Sequence, residues 1–525
     1  MMLVNLQPIL IAQVEPPQNE EGGDYYYRTL APGRTMARED GVYVINLTNI
    51  HRRKEQIMRS ADVLVLKNVC DPDLLPLIRE RKARKRLTVF EIADDINAVQ
   101  PWSPVYFFYR NPENFGLSRR LARLSDAMQF TVEELRKIYG YLNPVSEVFP
   151  NQITMIPTEK SEKKTSDLSI GWGGSHGHLE DMADIAPALI RWIRENKKIH
   201  LRLMCSEPIW ELFHDLPPDR KKRVKPSAIE DYYAFLETID IGLAPLRDTA
   251  FNRSRSDVKF LEYAISGVVS VVNDLIPYRD TVRDGETGFF FRSPDELIDI
   301  LDRLGADRDL MDRVAKRGRA YVIEERLEQN HASNRIGFYR RLLSEIGWRN
   351  ADAKEKSSTF KTLSKLEGAI REDRYLRLMP TRFEALLHDG LVLAQADGER
   401  AQAQAHFAEA SRLEPKSYLP CLFGANSTED AIMSLKHALA LNPRSIKAWT
   451  ILGEAFAREG NAVASLKAFE SAAEIFPEYE IPYARVASVL MQIGEKSAAE
   501  DMAKKAQTLA VPQTDDSHKN ERIEC

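Results

Sequence analysis

Short apolar segments alternate with helical patterns twice along this chain, and this alternation constrains its fold more than any other feature. The apolar runs are Val42 to Leu47, Val63 to Leu66 and Thr88 to Ile92, then Leu168 to Trp172, His200 to Cys205, Ile239 to Ala244 and Val268 to Val272, with helical stretches such as Asp73 to Lys85 and Leu179 to Glu195 between them. Such strands, apolar on both faces, form parallel sheets covered by helices. Because 525 residues are too many for one core, we predict two tandem α/β domains, over residues 1–150 and 168–350.

Polar segments without periodicity separate these patterns from each other and from a helical C-terminal part. Pro150 to Asp167 predicts a linker over residues 151–167, and the lysine- and serine-rich stretch from Asn350 to Leu366 predicts a second linker over 351–370. The helical pattern from Ile323 to Trp348 is expected to end the second domain as a crossover helix. A helical array is expected over 371–512, and a disordered tail over 513–525.

The helical array repeats with a period of 34 residues, the spacing of Pro443 and Pro477. Between these prolines the chain carries Trp449, Leu452, Gly453 and later Phe469 and Ala472, and the pattern recurs before and after in weaker form. This resembles the tetratricopeptide repeat (TPR), whose small residues let paired helices pack closely. One unit, from about Ser417 to Ser445, is six residues short, with the deficit around Phe423 to Thr428. The alternative is a set of generic helical hairpins.

Charge and cysteine content narrow the classes of function. A net charge of -5 argues against a dedicated nucleic-acid-binding protein. The four cysteines form no CxxC pair, which favours a reducing cytoplasm over a disulfide framework or a zinc site. The N-terminal run MMLVNLQPILIAQVEPPQ lacks a basic residue before its apolar part, so we interpret it as a buried first strand rather than a signal peptide.

The segment from Asp240 to Phe291 carries the most chemistry. A strand ends at Pro245, and a polar loop leads to a helix whose N-cap is expected to be Ser256 or Asp257, with Ser256 also a candidate for donor binding. Lys259 and Glu262, three residues apart, face one side of that helix. A lysine at a helix start suits a phosphate, and a carboxylate suits a ribose diol. The alternative is a helix with a surface lysine and glutamate. Gly267 then allows the turn into the next strand.

This segment resembles the family-four glycosyltransferases of the GT-B fold, in KFLEYAISGVVSVV and in the later turn formed by Asp284, Gly285 and Gly288. The resemblance implies a fold of class α/β plus all-α: two tandem Rossmann-like domains followed by the TPR-like array. It implies a retaining hexosyltransferase whose substrate is a nucleotide sugar, with no metal and no cofactor. Glu262 matches the second glutamate of the family's E-x7-E motif, but Ser254 replaces the first, which leaves open which group contacts the sugar.

Three further loops carry candidate site residues. After the first strand of the second domain come Gly173, Gly174, Ser175 and His178, which are candidates for contact with the donor diphosphate or form a tight structural turn. In the first domain Gly22, Gly23 and Arg28 are candidates for the same diphosphate, with a salt bridge as the alternative role of Arg28. Asp94 and Asp95 end a first-domain strand and are candidates for acceptor binding or for a catalytic base, alongside Lys259 as a catalytic residue, or Asp95 caps a helix.

Two hypotheses follow for function. The first is a glycosyltransferase whose donor binds the second domain and whose glycan, lipid-linked or protein acceptor binds the first, with the repeats, as a separable module, recruiting a protein partner. The second is an interaction protein built on the repeats, with a degenerate GT-B core. A Rossmann oxidoreductase is disfavoured because no GxGxxG follows a first strand. The basic run Arg79 to Arg86 predicts either contact with an anionic inner membrane surface or a solvated helix face.

Overall fold

The computed structural model describes residues 7–17, 22–103, 105–158, 167–348, 353–396, 398–428 and 430–511. The expected disordered tail and most of the lysine-rich part of the first linker lie outside these ranges. The described chain forms two α/β domains, each around a largely parallel sheet, and a helical C-terminal region.

The first sheet places its first strand at the centre. Its N-terminal six strands are β1 (Ile9–Glu15), β2 (Val42–Thr48), β3 (Val63–Lys67), β4 (Leu87–Ile92), β5 (Ala127–Phe130) and β6 (Ser146–Val148). They lie parallel in the order β2-β1-β3-β4-β5-β6. Alternate residues of β1 enter different cores, Ile9 and Ile11 on one face and Leu10 and Ala12 on the other. The strand order reverses at β1, the place where open α/β sheets bind ligands.

Helices cover both faces of this sheet. They are α1 (Gly23–Tyr25), which continues through a π-helical turn (Tyr26–Leu30) into α2 (Ala31–Met36), then α3 (Lys54–Ser60), α4 (Leu74–Ala83), α5 (Tyr106–Arg110), α6 (Pro112–Leu124) and α7 (Glu133–Tyr139). All five residues of the π-helical turn are buried. This turn therefore packs into the interior of the protein.

The second sheet has the strand order of a Rossmann domain. Its strands are β7 (Leu168–Gly173), β8 (Ile199–Met204), β9 (Lys221–Val224), β10 (Ile241–Ala244), β11 (Val269–Asn273) and β12 (Phe289–Phe291). They are parallel in the order β12-β11-β10-β7-β8-β9. The order reverses between β7 and β10, so the loops after these two strands flank the expected ligand crevice.

The helices of the second domain include the long predicted one after β7. They are α8 (Leu179–Glu195), α9 (Glu207–Glu211), α10 (Ile229–Leu236), α11 (Ala250–Arg253), α12 (Val258–Ile265), α13 (Ile276–Arg279), α14 (Pro294–Ala306), α15 (Arg308–Glu325) and α16 (Ala332–Glu345). The single helical pattern from Ile323 to Trp348 is thus broken between α15 and α16. Helix α16 crosses to the first domain, where Tyr339 donates to Gln129 at 2.7 Å.

The loops at the carboxyl ends of the two sheets face each other. Trp102, after β4, donates through Nε1 to the carbonyl of Gly177, after β7, at 3.3 Å. Arg326 holds the connection between the domains, because it bonds the Asn151 carbonyl at 2.9 Å and the Asp257 carboxylate at 3.2 Å. The two domains therefore enclose a common cleft.

The prediction of a second linker over residues 351–370 was wrong. This segment forms α17 (Ala353–Leu363) and then β13 (Ala369–Glu372), which pairs antiparallel with β14 (Tyr375–Leu378). Strand β14 pairs parallel with β2, so the hairpin extends the first sheet. Phe360 and Leu363 are buried, and they anchor α17 although most of its residues are polar. The helical array consequently begins after β14 and not at residue 371.

The described residues after β14 form four helix pairs. They are α18 (Arg382–Leu393) with α19 (Arg400–Leu413), α20 (Leu419–Gly424) with α21 (Ala431–Leu441), α22 (Ile446–Arg458) with α23 (Ala462–Ile475), and α24 (Glu480–Gln492) with α25 (Lys496–Leu509). A Cβ on Gly453 would lie 2.5 Å from the ring of Phe469, so the small residue is what lets α22 and α23 approach. The unit expected to be short has a first helix of 6 residues.

The array packs against the first domain and is not a free module. Asp73, before α4, accepts hydrogen bonds from Ser445 Oγ at 2.7 Å and from the Lys447 amide at 3.1 Å, at the start of α22. Arg120 of α6 donates to Glu480 of α24 at 2.8 Å. These contacts connect residues more than 350 positions apart, so they contradict the expectation that the repeats form a separable module.

The basic run at the end of α4 also has internal partners. Arg81 is 1% exposed and donates to the carbonyls of Ala61 and Leu87 at 2.9 and 2.6 Å. Arg79 lies 4.1 Å from the ring of Phe476 in the array. Arg86 pairs with Asp62. Arg81 and Arg86 therefore support the first sheet and Arg79 contacts the array, while Lys82, Arg84 and Lys85 are exposed, and membrane contact through this run stays a prediction.

Candidate functional site

The loop after β7 lies at the reversal point of the second sheet, but its glycines have structural partners. A Cβ on Gly173 would lie 2.6 Å from the Tyr232 ring, and one on Gly174 would lie 2.5 Å from the Trp172 ring. The Gly174 amide donates to the Met204 carbonyl at 3.1 Å and is not free for a phosphate. Ser175, by contrast, is exposed. Ser175 is therefore the exposed side-chain donor of this loop segment.

His178 holds an arginine that the sequence did not single out. Its Nδ1 lies 2.9 Å from Asp181, and its Nε2 lies 2.9 Å from Nη1 of Arg255. Burial first, and then the positive charge of Arg255, lowers the pKa of His178 to about 4. The ring is therefore neutral, with the proton on Nδ1 facing Asp181 and the lone pair on Nε2 facing Arg255. Both nitrogens are used, so His178 positions Arg255 and does not itself reach a ligand.

Glu262 lies at the centre of a buried polar cluster. Its Oε2 accepts hydrogen bonds from Lys259 Nζ and from the Tyr232 hydroxyl, both at 2.9 Å. Its Oε1 accepts one from the Tyr27 hydroxyl of the first domain, also at 2.9 Å. Glu262 is 3% exposed. Lys259 is more accessible, with 18% of its side chain exposed.

The start of α12 is held by the interdomain connection. Asp257 occupies the N-cap position, as expected for one of the two candidates, but its carboxylate pairs with Arg326 instead of capping the helix. The Ser256 hydroxyl accepts from Asn151 Nδ2 at 3.0 Å. Gly267 has a φ of +66°, and Gly285 has a φ of +71°, so both expected turns require glycine.

The first-domain candidates differ in accessibility. Gly22 is the N-cap of α1 and Gly23 its first residue, with open space around the Cβ position of Gly23. Arg28 is 2% exposed and pairs with Glu91 at 2.6 Å, while its Nη1 donates to Asn151 Oδ1 at 3.0 Å. Arg28 therefore fulfils the alternative role of a buried salt bridge that ties the interdomain connection to the first sheet.

The structure separates the two adjacent aspartates. Asp95 is buried and accepts hydrogen bonds from the Tyr139 hydroxyl at 2.5 Å and from the Asn97 amide at 3.0 Å, so it stabilises its own loop. Asp94 is half-buried. Burial, and then the charge of Asp24, raises the pKa of Asp94, while Arg255 across the cleft acts in the opposite direction. Of the two aspartates, Asp94 is thus the one that keeps exposed surface at the end of β4.

Three residues of the site were not predicted from the sequence: Tyr27 contacts Glu262 from the first domain, and Tyr232 and Arg255 make their contacts within the second domain. In the sequence, Tyr27 stands in the run GGDYYYR and Tyr232 in the segment that forms α10, and neither position carries a motif. Arg255 lies inside the segment from Asn252 to Lys259 and had no distinguishing pattern. Within the described ranges no group of three or more His, Cys, Asp or Glu side chains is placed to hold a metal. No helix among them has the length and apolar character needed to span a bilayer.

In comparison with known protein families, the part of the chain that matches lies in the second domain. A family model described as glycosyl transferase-like matches residues 187–336, which include Lys259 and Glu262. No curated protein matches the chain in sequence.

Among solved structures, the Anabaena protein HepE, in complex with UDP and glucose, is 13% identical, with 63% of this chain and 98% of HepE covered and a TM-score of 0.48. Sucrose-phosphate synthase from Thermosynechococcus elongatus is also 13% identical, with 64% and 100% covered and a TM-score of 0.47. Both likenesses are weak, so the fold is assigned from the strand orders and contacts of this chain alone.

Proposed function

We propose that this chain is a glycosyltransferase of the GT-B fold that transfers a sugar from a nucleotide-sugar donor. The observation that carries the proposal is the position of Lys259 and Glu262. They lie within the residues matched by the glycosyl transferase-like model, on the helix that begins beside the reversal point of a Rossmann sheet, and they face the first domain across a cleft. In this account the donor binds mainly to the second domain.

The polar groups at the cleft suit a nucleoside diphosphate. Arg255 contacts His178 at 2.9 Å, and Lys259 follows it in the first turn of α12, so two cations lie in one region. With the exposed hydroxyl of Ser175 they supply donors for phosphate oxygens. Glu262 is the acceptor for the ribose diol. As the bond to the sugar breaks, the cations stabilise the negative charge that develops on the departing diphosphate, without a metal ion.

The first domain is proposed to bind the acceptor. Asp94, half-buried at the carboxyl end of β4, is the carboxylate available to bind an acceptor hydroxyl or to take its proton. The resemblance to family four favours retention of configuration. The helix pairs are proposed to be TPR-like, with the exposed side of the array available to a protein partner, and the protein is proposed to act in the cytoplasm.

A second candidate function is supported by the state of Glu262. Both of its oxygens are occupied by protein donors, and Ser254, which stands where the family has a glutamate, is buried with its hydroxyl on the Phe251 carbonyl. A degenerate core that serves as a scaffold for the array would have these features. The two candidates differ in whether the cleft binds a nucleotide.

Thermal denaturation with UDP, GDP and ADP and their sugar conjugates tests the proposal. Ligand at 100 times its Kd stabilises the folded state by about 2.7 kcal/mol. We expect one nucleotide to raise the Tm of the full chain, and Lys259→Met to abolish the shift. Lys316→Met, at an exposed lysine of the same domain, should leave it unchanged. A panel in which no nucleotide changes the Tm would refute the enzyme and favour the scaffold.

A further inference from the structure

Arg255, one of the two cations proposed to bind the donor diphosphate, is held by three neighbours. Its Nη1 donates to His178 Nε2 at 2.9 Å, and its Nε donates to Asn252 Oδ1 at 3.1 Å. The Phe251 ring lies against the guanidinium, with its centroid 4.8 Å from Cζ. A free arginine side chain loses rotamer entropy when it binds a ligand, and a side chain that is already fixed loses less. Arg255 is therefore ordered before a ligand binds.

This arrangement leaves one nitrogen of the guanidinium available. The hydrogen bonds that Arg255 donates to described residues use Nε and Nη1, so Nη2 remains for a ligand. A Cβ on Gly177 would lie 3.6 Å from this Nη2 and also 3.6 Å from Ser175 Oγ. The two donors thus border one space, in the loop that leads from β7 to α8. A charged and a neutral donor at this spacing suit the oxygens of a phosphate group.

Both polar partners of Arg255 are held in turn by Asp181, in the first turn of α8. Asp181 Oδ2 lies 2.9 Å from His178 Nδ1, and Oδ1 accepts from Asn252 Nδ2 at 2.8 Å. Oδ1 also accepts from the Arg247 amide, in the loop after β10, at 2.9 Å. Asp181 is 1% exposed. One buried carboxylate therefore supports two separate routes to the same guanidinium.

The charge of Asp181 matters as well as its shape. Burial acts to raise the pKa of Asp181, but the hydrogen bond and charge interaction with His178 outweigh burial, so the pKa is lowered and the carboxyl group is ionised. A carboxylate only accepts, so the His178 proton stays on Nδ1 and the Nε2 lone pair faces Arg255. An asparagine at position 181 would turn its NH₂ group toward Nδ1. That contact would favour a proton on Nε2, directed at the guanidinium.

We propose that Asp181 is a positioning residue of the donor site. It holds Arg255 through two side chains, those of His178 and Asn252. Nη2 of the arginine is thereby kept at the space beside Ser175. This role rests on the proposed glycosyltransferase function, in which Arg255 binds the donor diphosphate.

A double-mutant cycle on the full chain tests whether Asp181 acts through Arg255. The ligands are whichever of UDP, GDP and ADP raises the Tm, titrated calorimetrically, and the corresponding nucleoside, titrated by competition. We expect Asp181→Asn and Arg255→Met each to lower the diphosphate affinity about tenfold, the effect of one hydrogen bond to a charged group, and to leave the nucleoside affinity unchanged. In the Arg255→Met background, Asp181→Asn should have no further effect on the diphosphate.

Two further variants complete the experiment. Asn252→Ala removes one of the two routes and gives the same comparison if Asp181→Asn does not fold. We expect it to cause a smaller loss of diphosphate affinity than Asp181→Asn, again absent in the Arg255→Met background. Asp184→Asn, at an exposed aspartate of α8, is the matched control and should bind both ligands as wild type does.

Equal losses from Asp181→Asn in the wild-type and Arg255→Met backgrounds would overturn the proposal, because the aspartate would then act independently of the arginine. A loss for the nucleoside as large as that for the diphosphate would also overturn it, since it would indicate a general structural role. A wild-type chain that binds none of the three nucleotides would overturn the proposed function and the role of Asp181 with it. Nucleotide binding that Asp181→Asn leaves unchanged would overturn the role of Asp181 alone.

Discussion

The hydroxyl of Tyr27 donates a hydrogen bond to Oε1 of Glu262 at 2.9 Å, across 235 positions of sequence and between the two domains. Tyr27 lies in the buried π-helical turn that follows β1, and Glu262 lies on α12. In this conformation the carboxylate proposed to bind the donor is satisfied by the protein itself. A ribose diol would replace the tyrosine hydroxyl rather than enter an empty site.

Tyr27→Phe tests whether that hydroxyl competes with the donor. Without it Oε1 loses a hydrogen bond to a charged group, worth about 1.5–3 kcal/mol in the free protein. We expect a lower Tm and a nucleotide affinity raised severalfold, measured by titration calorimetry. Tyr26→Phe is the control, because the Tyr26 hydroxyl bonds Thr154 at 2.6 Å and not Glu262. A reduced affinity in Tyr27→Phe alone would show that Tyr27 helps to bind the donor.

Truncation after Trp348 is expected to destroy the stability of the first domain. It removes β14, whose Tyr375, Leu376 and Leu378 are at most 3% exposed. Burial of each such side chain contributes about 1.5–3 kcal/mol, so their loss approaches the whole stability of a domain, about 5–15 kcal/mol. Truncation after Gln395 keeps β14 and should retain more soluble protein. Equal yields and equal urea midpoints for the two truncated chains would contradict the importance of β14.

The two α/β domains could be predicted because their strands are apolar on both faces and short helical stretches separate them. The hairpin of β13 and β14 could not, because Ala369 to Leu378 follows a polar segment and pairs with a strand more than 300 positions earlier. The docking of the array was missed for the same reason. Asp73, Arg120 and their partners on the helices are polar residues whose pairing depends on tertiary contacts.

Arg81→Met should be strongly destabilising. Burial, with Arg86 nearby, lowers the pKa of Arg81 to about 9, and its guanidinium serves the carbonyls of Ala61 and Leu87 and the Thr88 hydroxyl. Each buried acceptor left without a donor costs about 1–3 kcal/mol, so we expect a loss of at least about 3 kcal/mol in urea unfolding. Arg84→Met, at a side chain that is 62% exposed, should change the stability by less than about 0.5 kcal/mol. A loss of stability in Arg81→Met as small as that in Arg84→Met would contradict the internal role of Arg81.

The lowered pKa of His178 predicts that the free energy of unfolding falls in acid. Its pKa is lowered from 6.5 to about 4 in the folded protein, chiefly by burial, so the unfolded chain binds the proton more tightly. The stability that neutral His178 contributes is therefore complete above pH 6.5 and is lost as the pH falls toward 4, on the order of 3 kcal/mol in total. Urea unfolding at pH 7.5, 6 and 5 should show a smaller decline for His178→Gln than for wild type. Parallel declines would contradict this assignment.

The candidate site was predictable in its position but not in its contacts. Lys259 and Glu262 could be placed on one helix face by their spacing, and Asp94 or Asp95 at a strand end. Only tertiary structure shows that Asp95 bonds Tyr139, that the Gly174 amide bonds Met204, and that His178 uses both nitrogens to hold Asp181 and Arg255. These partners lie on other elements, where sequence spacing gives no information.

The most direct test of the central claim is calorimetric titration of the full chain with the nucleotide that stabilises it, in wild type and in Glu262→Gln. Glutamine keeps the shape of the glutamate side chain. Its amide is neutral and has one oxygen, so it cannot accept two hydrogen bonds from a diol as the charged carboxylate does. We expect at least a tenfold loss of affinity, about 1.4 kcal/mol, with the fold retained by circular dichroism. Glu286→Gln, at an exposed glutamate of the same domain, should bind as wild type does. Equal affinity in wild type and Glu262→Gln would contradict the donor site proposed for this protein.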